Sequence, residues 1–155
     1  MMKQLLSILA SILLVSTISA HAENSSPLTP AAGKGAKTVK IHLTLNGIST
    51  TASLIDSPTT RDFIALLPLT LKLEDYANTE KIAYLPKKLS TQGAPAGIDP
   101  DVGDITYYAP WGNLALFYRD FGYSPGLIRL GRFDAGIEAL KAQSSIGAII
   151  EAIRE

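Results

Sequence analysis

Apolar and polar residues alternate strictly along the first structured stretch. Val39, Ile41, Leu43 and Leu45 fall on one side, and Lys40, His42 and Thr44 on the other. A period of two predicts a strand with one buried face. Asn46-Gly47 follows, a pair that tolerates the φ > 0 of a two-residue hairpin turn, and Ile48 to Leu54 returns as the second strand. Ser57-Pro58 predicts a helix start, with Ser as N-cap and Pro at the first helical position. Phe63, Ile64, Leu66 and Leu67 give a short apolar stripe, and Pro68 ends the helix because the residue before proline disfavours the α region. Leu69 to Glu74 alternates again and predicts a third strand. Asp75 to Thr79 reads as a polar turn, and Glu80 to Tyr84 as a short strand or turn. Pro86 to Pro100 is rich in Pro, Gly, Ser and Ala and reads as a long surface loop.

The chain from Asp99 to Tyr123 holds the one Trp and four of the six Tyr. Ile105 to Ala109 and Leu114 to Tyr118 carry the β-branched, apolar and aromatic residues that suit a packed, pleated surface. Between them, Pro110 opens a turn and Gly112 or Asn113 takes φ > 0, holding Trp111 at the tip. Leu127 to Phe133 predicts another strand, and Gly136 to Ala142 a short helix. Ser144 to Glu155 reads as helix by propensity or strand by its β-branched content; a strand would seal the edge left by Val39 to Leu45. Strands dominate, and no strand–helix–strand alternation appears. The expected fold is therefore mainly β, a closed antiparallel barrel with one or two short helices.

The N-terminus changes the picture. Lys3 precedes an apolar run from Leu5 to Ser19, and Ala20-His21-Ala22 has the small-x-small form of a cleavage site. Residues 1–22 are expected to be a signal peptide, residues 23–37 a flexible linker poor in large apolar side chains, and residues 38–155 the barrel domain. The expected location is periplasmic or secreted. With 14 Lys+Arg against 14 Asp+Glu, the chain lacks the basic surface that nucleic acid or an anionic membrane would require. It has no Cys, so disulfides, thiolate metal sites and thiol nucleophiles are excluded.

Candidate chemistry is sparse. No Gly-x-Ser-x-Gly motif occurs, and His42, the one His left after cleavage at Ala22, falls on the polar side of a strand with no second His to share a metal. Asp99, Asp101 and Asp104 miss the Gly and Glu of a calcium-binding EF-hand loop and read better as turn-forming acids. No metal and no cofactor is expected. Tyr108, Trp111, Asn113, Tyr118, Arg119, Asp120 and Tyr123 form the candidate binding set, combining flat aromatic area with a charged donor. The alternative is structural: Tyr108 and Tyr118 pack under the loop, Trp111 plugs a barrel end, and Arg119-Asp120 ties a loop.

Several motifs carry a resemblance. The opening hairpin and helix, and Ile128-Arg-Leu-Gly-Arg-Phe-Asp-Ala-Gly-Ile-Glu-Ala-Leu, are similar to the corresponding parts of cyclophilins. Leu67-Pro-Leu-Thr-Leu, Gly93-Ala-Pro-Ala-Gly, Gly103-Asp-Ile, Tyr108-Ala-Pro-Trp-Gly-Asn and Arg119-Asp-Phe-Gly-Tyr-Ser resemble the bacterial cyclophilin-like family of small proteins. That resemblance implies a cyclophilin-like barrel, but the family's activity is not established. True cyclophilins use an Arg, a Phe and a Gln beside an apolar proline pocket. Glu80-Lys-Ile-Ala-Tyr-Leu-Pro-Lys-Lys-Leu has neither the Arg nor the Gln, and Lys81 is the one cation near the right place. The expected function is a peptide, protein or small-ligand binding module without strong catalysis; the alternative is a peptidyl-prolyl isomerase-like enzyme. The resemblance also implies a link to flavodoxin-type proteins beside a peptide or protein partner.

Overall fold

The computed structural model describes residues 38–153, so the proposed signal peptide and linker lie outside the described residues. The elements run β1 (Thr38–Leu45), β2 (Ile48–Ile55), α1 (Pro58–Ile64), β3 (Leu69–Tyr76), β4 (Glu80–Tyr84), β5 (Gly97–Ile98), β6 (Asp104–Tyr108), β7 (Asn113–Phe117), β8 (Ser124–Pro125), β9 (Leu127–Phe133) and β10 (Ser145–Ala152). Eight strands close an antiparallel barrel in the order β1-β10-β3-β4-β7-β6-β9-β2, and β5 pairs with β8 in a separate ribbon. Closure removes the exposed edges that a sheet of this size would otherwise present.

The opening hairpin forms as its sequence requires. Asn46 and Gly47 take φ of 47° and 84°, and Val39 pairs with Leu54 in the ladder. On the far side of β1, Leu43 pairs with Ile150, so the C-terminal segment is the sealing strand. Ser57 caps α1 by accepting a hydrogen bond from the Thr60 N–H, with Pro58 at the first position. Phe63 of this helix is fully buried among the barrel residues. Burying a side chain of that size contributes roughly 2–3 kcal/mol. Ile41, Leu43, Leu54, Leu73, Leu114, Leu116, Leu130 and Ile150 fill the interior with it. At Gly131 a Cβ would lie 2.2 Å from the Ser53 carbonyl oxygen and 2.7 Å from the Leu54 Cα, so only glycine lets β2 and β9 approach this closely.

Three local expectations change. Asp75 and Tyr76 belong to β3 rather than to a turn; the reversal is confined to Ala77 and Asn78, both at positive φ. The helix expected over Gly136–Ala142 is a single 3-10 turn, Ile137–Leu140. The loop from Pro86 to Pro100 contains β5 and sends Leu89 into the core, where the Leu89 N–H donates to the Tyr107 hydroxyl at 3.1 Å.

Candidate binding site

The alternation of β4 and β7 decides which side chains meet. On β7, Leu114 and Leu116 point into the barrel, while Asn113, Ala115 and Phe117 point outward. On β4, Lys81 and Ala83 are buried inside, while Glu80 and Ile82 lie on the outer face. Tyr76 ends β3 on that same outer face, and Tyr108 ends β6 there. Register places Glu80 directly between Tyr76 and Phe117.

Trp111 is delivered to this face by the β6–β7 turn. Gly112 sits at φ 75°, and its N–H donates to the Tyr108 carbonyl at 2.9 Å. Of the two positions the sequence left open, Gly112 takes the left-handed conformation. Trp111 remains 46 % exposed, and Tyr76 and Tyr108 pack against it edge-on at centroid separations of 5.7 and 5.4 Å. Phe117 and Phe121 pair opposite at 5.8 Å. These rings enclose a cavity of about 190 Å³, floored by Ala115 and Leu127 and reached by Ser124. Pockets for drug-sized ligands run to roughly 300–1,000 Å³, so this one is sized for a single side chain or a small molecule.

Two of the residues lining the cavity carry an oxygen removed from water with no hydrogen-bond partner among the described residues. Asn113 is buried, and its side-chain N–H donates to the Leu114 carbonyl at 2.9 Å, but its Oδ1 accepts nothing. Glu80 is half-buried with no hydrogen bond or ion pair, and desolvation alone pushes its carboxyl up to about 7. Both groups are acceptors, and no Lys, Arg or His lines the cavity. A larger cavity of about 320 Å³ lies between α1 and the Gly93–Pro95 loop. Its one charged lining residue, Arg129, is already bound to the buried Asp104 at 2.6 Å.

Three of the residues singled out in sequence, Tyr108, Trp111 and Asn113, thus share one site. Tyr118 does not join them. It follows Phe117 on the opposite face, is 5 % exposed, and donates its hydroxyl to Asp75. Burial, then the hydrogen bond to and charge of Asp75, push its phenol up to about 12 despite the nearby Arg119. Arg119 stacks on the Tyr118 ring at 5.9 Å, on that second side. Asp120 is exposed, with no ion pair to Arg119, and Tyr123 stands 60 % exposed beside Gly97. The single aromatic surface pictured from sequence is therefore divided between two faces of the barrel. Tyr76, Glu80, Phe117 and Phe121 are lining residues that the sequence reading did not select.

Lys81 is also relocated. It points inward, 2 % exposed, with its ammonium 2.8 Å from Asp75 Oδ1 and donating to the carbonyl oxygens of Gln143 and Ser144. It does not face the outer cavity. Asp104 likewise serves structure: it accepts from Arg129 Nε at 2.7 Å and from the Asp101 N–H at 2.9 Å. His42 is a half-exposed strand residue whose ring nitrogen lies 3.9 Å from Glu151.

The profile of the cyclophilin-like family matches residues 43–151, most of the barrel. The chain belongs to the cyclophilin-like family. A solution structure of a hypothetical protein from Archaeoglobus fulgidus is similar at a TM-score of 0.57 and 14% identity. The likeness covers 78% of this chain and 99% of that one, and it extends to the fold alone. No curated protein matches the chain. In this cyclophilin-like chain the aromatic cavity lies on the outside of a filled barrel, and the strands beneath it hold its side chains in place.

Proposed function

We propose that this cyclophilin-like domain is an exported binding module that takes one side chain of an extended peptide or protein segment into the outer aromatic cavity. The observation that carries this is Trp111, a large ring left nearly half exposed at a turn tip and braced by Tyr76 and Tyr108. Exposed aromatic anchors of this kind, fixed by neighbours, carry much of the energy of peptide recognition. The small cavity beside it sets the size of what enters.

Binding rather than catalysis is favoured because no guanidinium or ammonium lines the cavity to stabilise a twisted prolyl bond. Acceleration of a reaction requires a group that acts more strongly on the transition state than on the ground state. Export rests on the N-terminal pattern of Lys3, Leu5 to Ser19 and Ala20-His21-Ala22. It predicts a mature protein beginning at Glu23, which mass spectrometry of the secreted or periplasmic protein would read directly.

The test of function is titration of Trp111 fluorescence with capped alanine-based pentapeptides carrying Leu, Arg or Pro at the centre. Saturable quenching by at least one, with no acceleration of cis/trans exchange in the proline peptide, is the expected result. Exchange accelerated well beyond the uncatalysed tens to hundreds of seconds would favour the isomerase instead.

A further inference from the structure

The geometry points to an organic cation bearing N–H donors, the guanidinium or ammonium end of an Arg- or Lys-like side chain, as the group this cavity accepts. The inference rests on the binding reading above and narrows it to a chemical class. Three observations converge on it. First, the cavity wall is built from electron-rich ring faces and edges, with Tyr76, Tyr108 and Trp111 on one side and Phe117 and Phe121 on the other. Such walls attract a cation placed within about 6 Å of a ring centroid. Second, the one charged residue in the lining is Glu80, and it has no counter-ion among the described residues. A carboxylate half-removed from water without a partner is unfavourable by itself. A cation in the cavity would supply the missing charge. Third, Asn113 Oδ1 is a buried acceptor without a donor, although the same amide is anchored through its N–H to the Leu114 carbonyl. Buried polar atoms are rarely left in this state.

The third observation narrows the cation. A quaternary ammonium would satisfy the rings and Glu80 but has no N–H to give Asn113. A guanidinium or primary ammonium has N–H donors for the Glu80 carboxylate and for Asn113 Oδ1, which is closed to solvent and would be brought into reach by a shift of its amide; a guanidinium also stacks on aromatic faces. The cavity volume of about 190 Å³ has room for such a head group together with its aliphatic stem. A bare metal ion is a poorer fit, because the lining offers a single carboxylate and no His, and the remaining wall is largely apolar.

The raised pKa of Glu80 agrees with this arrangement. Besides Glu80, the titratable groups facing the cavity are Tyr76 on β3 and Tyr108 on β6; β7, β8, β9 and the turn contribute none. Affinity for the cation should therefore rise as the Glu80 carboxyl ionises around pH 7.

Citrulline is the neutral, nearly isosteric counterpart of arginine, so it isolates the charge. The full chain would be titrated at pH 8 with capped pentapeptides carrying Arg, citrulline or Leu at the centre of four alanines, reading Trp111 fluorescence. The Arg peptide is expected to bind about tenfold or more tightly than the citrulline peptide, as a charge-assisted contact gives. In Glu80→Gln, which preserves the side chain's shape, the two peptides should come within about twofold of each other. The comparison of Arg with citrulline on the unaltered protein stands without the variant. Equal binding of Arg and citrulline peptides, or binding of the Leu peptide alone, would overturn the cation assignment while leaving the binding module intact. No response to any of the three would overturn both.

Discussion

Asp75 and Glu80 sit on neighbouring strands of the same barrel wall and are treated in opposite ways. Asp75, on the inner side, accepts from Lys81 at 2.8 Å, from the Tyr118 hydroxyl, and from the Asn78 N–H at 3.1 Å. Burial pushes its carboxyl up, but these hydrogen bonds and the Lys81 charge together outweigh it and hold the group below its ordinary value. Glu80, on the outer side, has burial without any of the compensation. The contrast separates two uses of charge. A buried ammonium matched to a half-buried carboxylate, with all of its donors satisfied, ties β3, β4 and the segment before β10 together. An unmatched carboxylate next to exposed aromatics is a cost to the fold and an asset to a binding site, the pattern expected where function departs from stability.

That difference can be broken from either side. The largest effect should come from Asp75→Ala, which leaves Lys81 buried beside only the carbonyls of Gln143 and Ser144. Removing one partner of such a pair should destabilise the fold by about 3 kcal/mol, read by urea denaturation. A change under about 1 kcal/mol would mean that the inner cluster is not a lock.

Binding of the Arg pentapeptide should strengthen by about tenfold between pH 6 and pH 8 as Glu80 ionises, while the citrulline peptide stays flat. A flat profile for both would remove Glu80 from recognition. The same ionisation acts on stability with a definite sign. A carboxyl raised to about 7 in the folded protein contributes stability that is fully present below its unfolded value and is lost as pH rises through about 7. Glu80→Gln should therefore stabilise the protein at pH 8 by about 1 kcal/mol, allowing for partial exposure, and give little at pH 4. Thermal melts at the two pH values would check it. The smallest effect on the fold should come from Trp111→Ala, within about 1 kcal/mol of the unaltered protein by denaturation, since the ring is nearly half exposed. The same substitution should abolish peptide binding when followed by calorimetry.

Much of the fold was legible because its signals are local. The Asn46-Gly47 turn, the Ser57-Pro58 cap and the alternation of Val39 to Leu45 each specify a conformation within a few residues. The closing strand β10 was read from a need, an open edge at β1, rather than from its own ambiguous composition. The site was half legible. Tyr108, Trp111 and Asn113 flank a recognisable turn, so their association followed from the hairpin. Tyr118 was misgrouped because adjacent residues on a strand face opposite ways, and a one-residue shift exchanges the faces. Tyr76 and Glu80 come from β3 and β4, some thirty residues before the turn, and only the register of Glu80 against Phe117 brings them to it. One signal was available: Glu80 and Ile82 alternate with Lys81 and Ala83, which already places Lys81 with the core-facing set.

The proposed binding module recognises its ligand on the outer face, at Trp111 and Asn113, and not at the inner cluster around Asp75. Nitrogen-15 correlation spectra recorded while the Arg pentapeptide is added would test it most directly. Saturable movement of the Trp111 indole and Asn113 side-chain amide signals is expected, with the backbone amides of Lys141 and Ser144, beside the inner cluster, unmoved. Movement at Lys141 and Ser144 with Trp111 and Asn113 unchanged would contradict it.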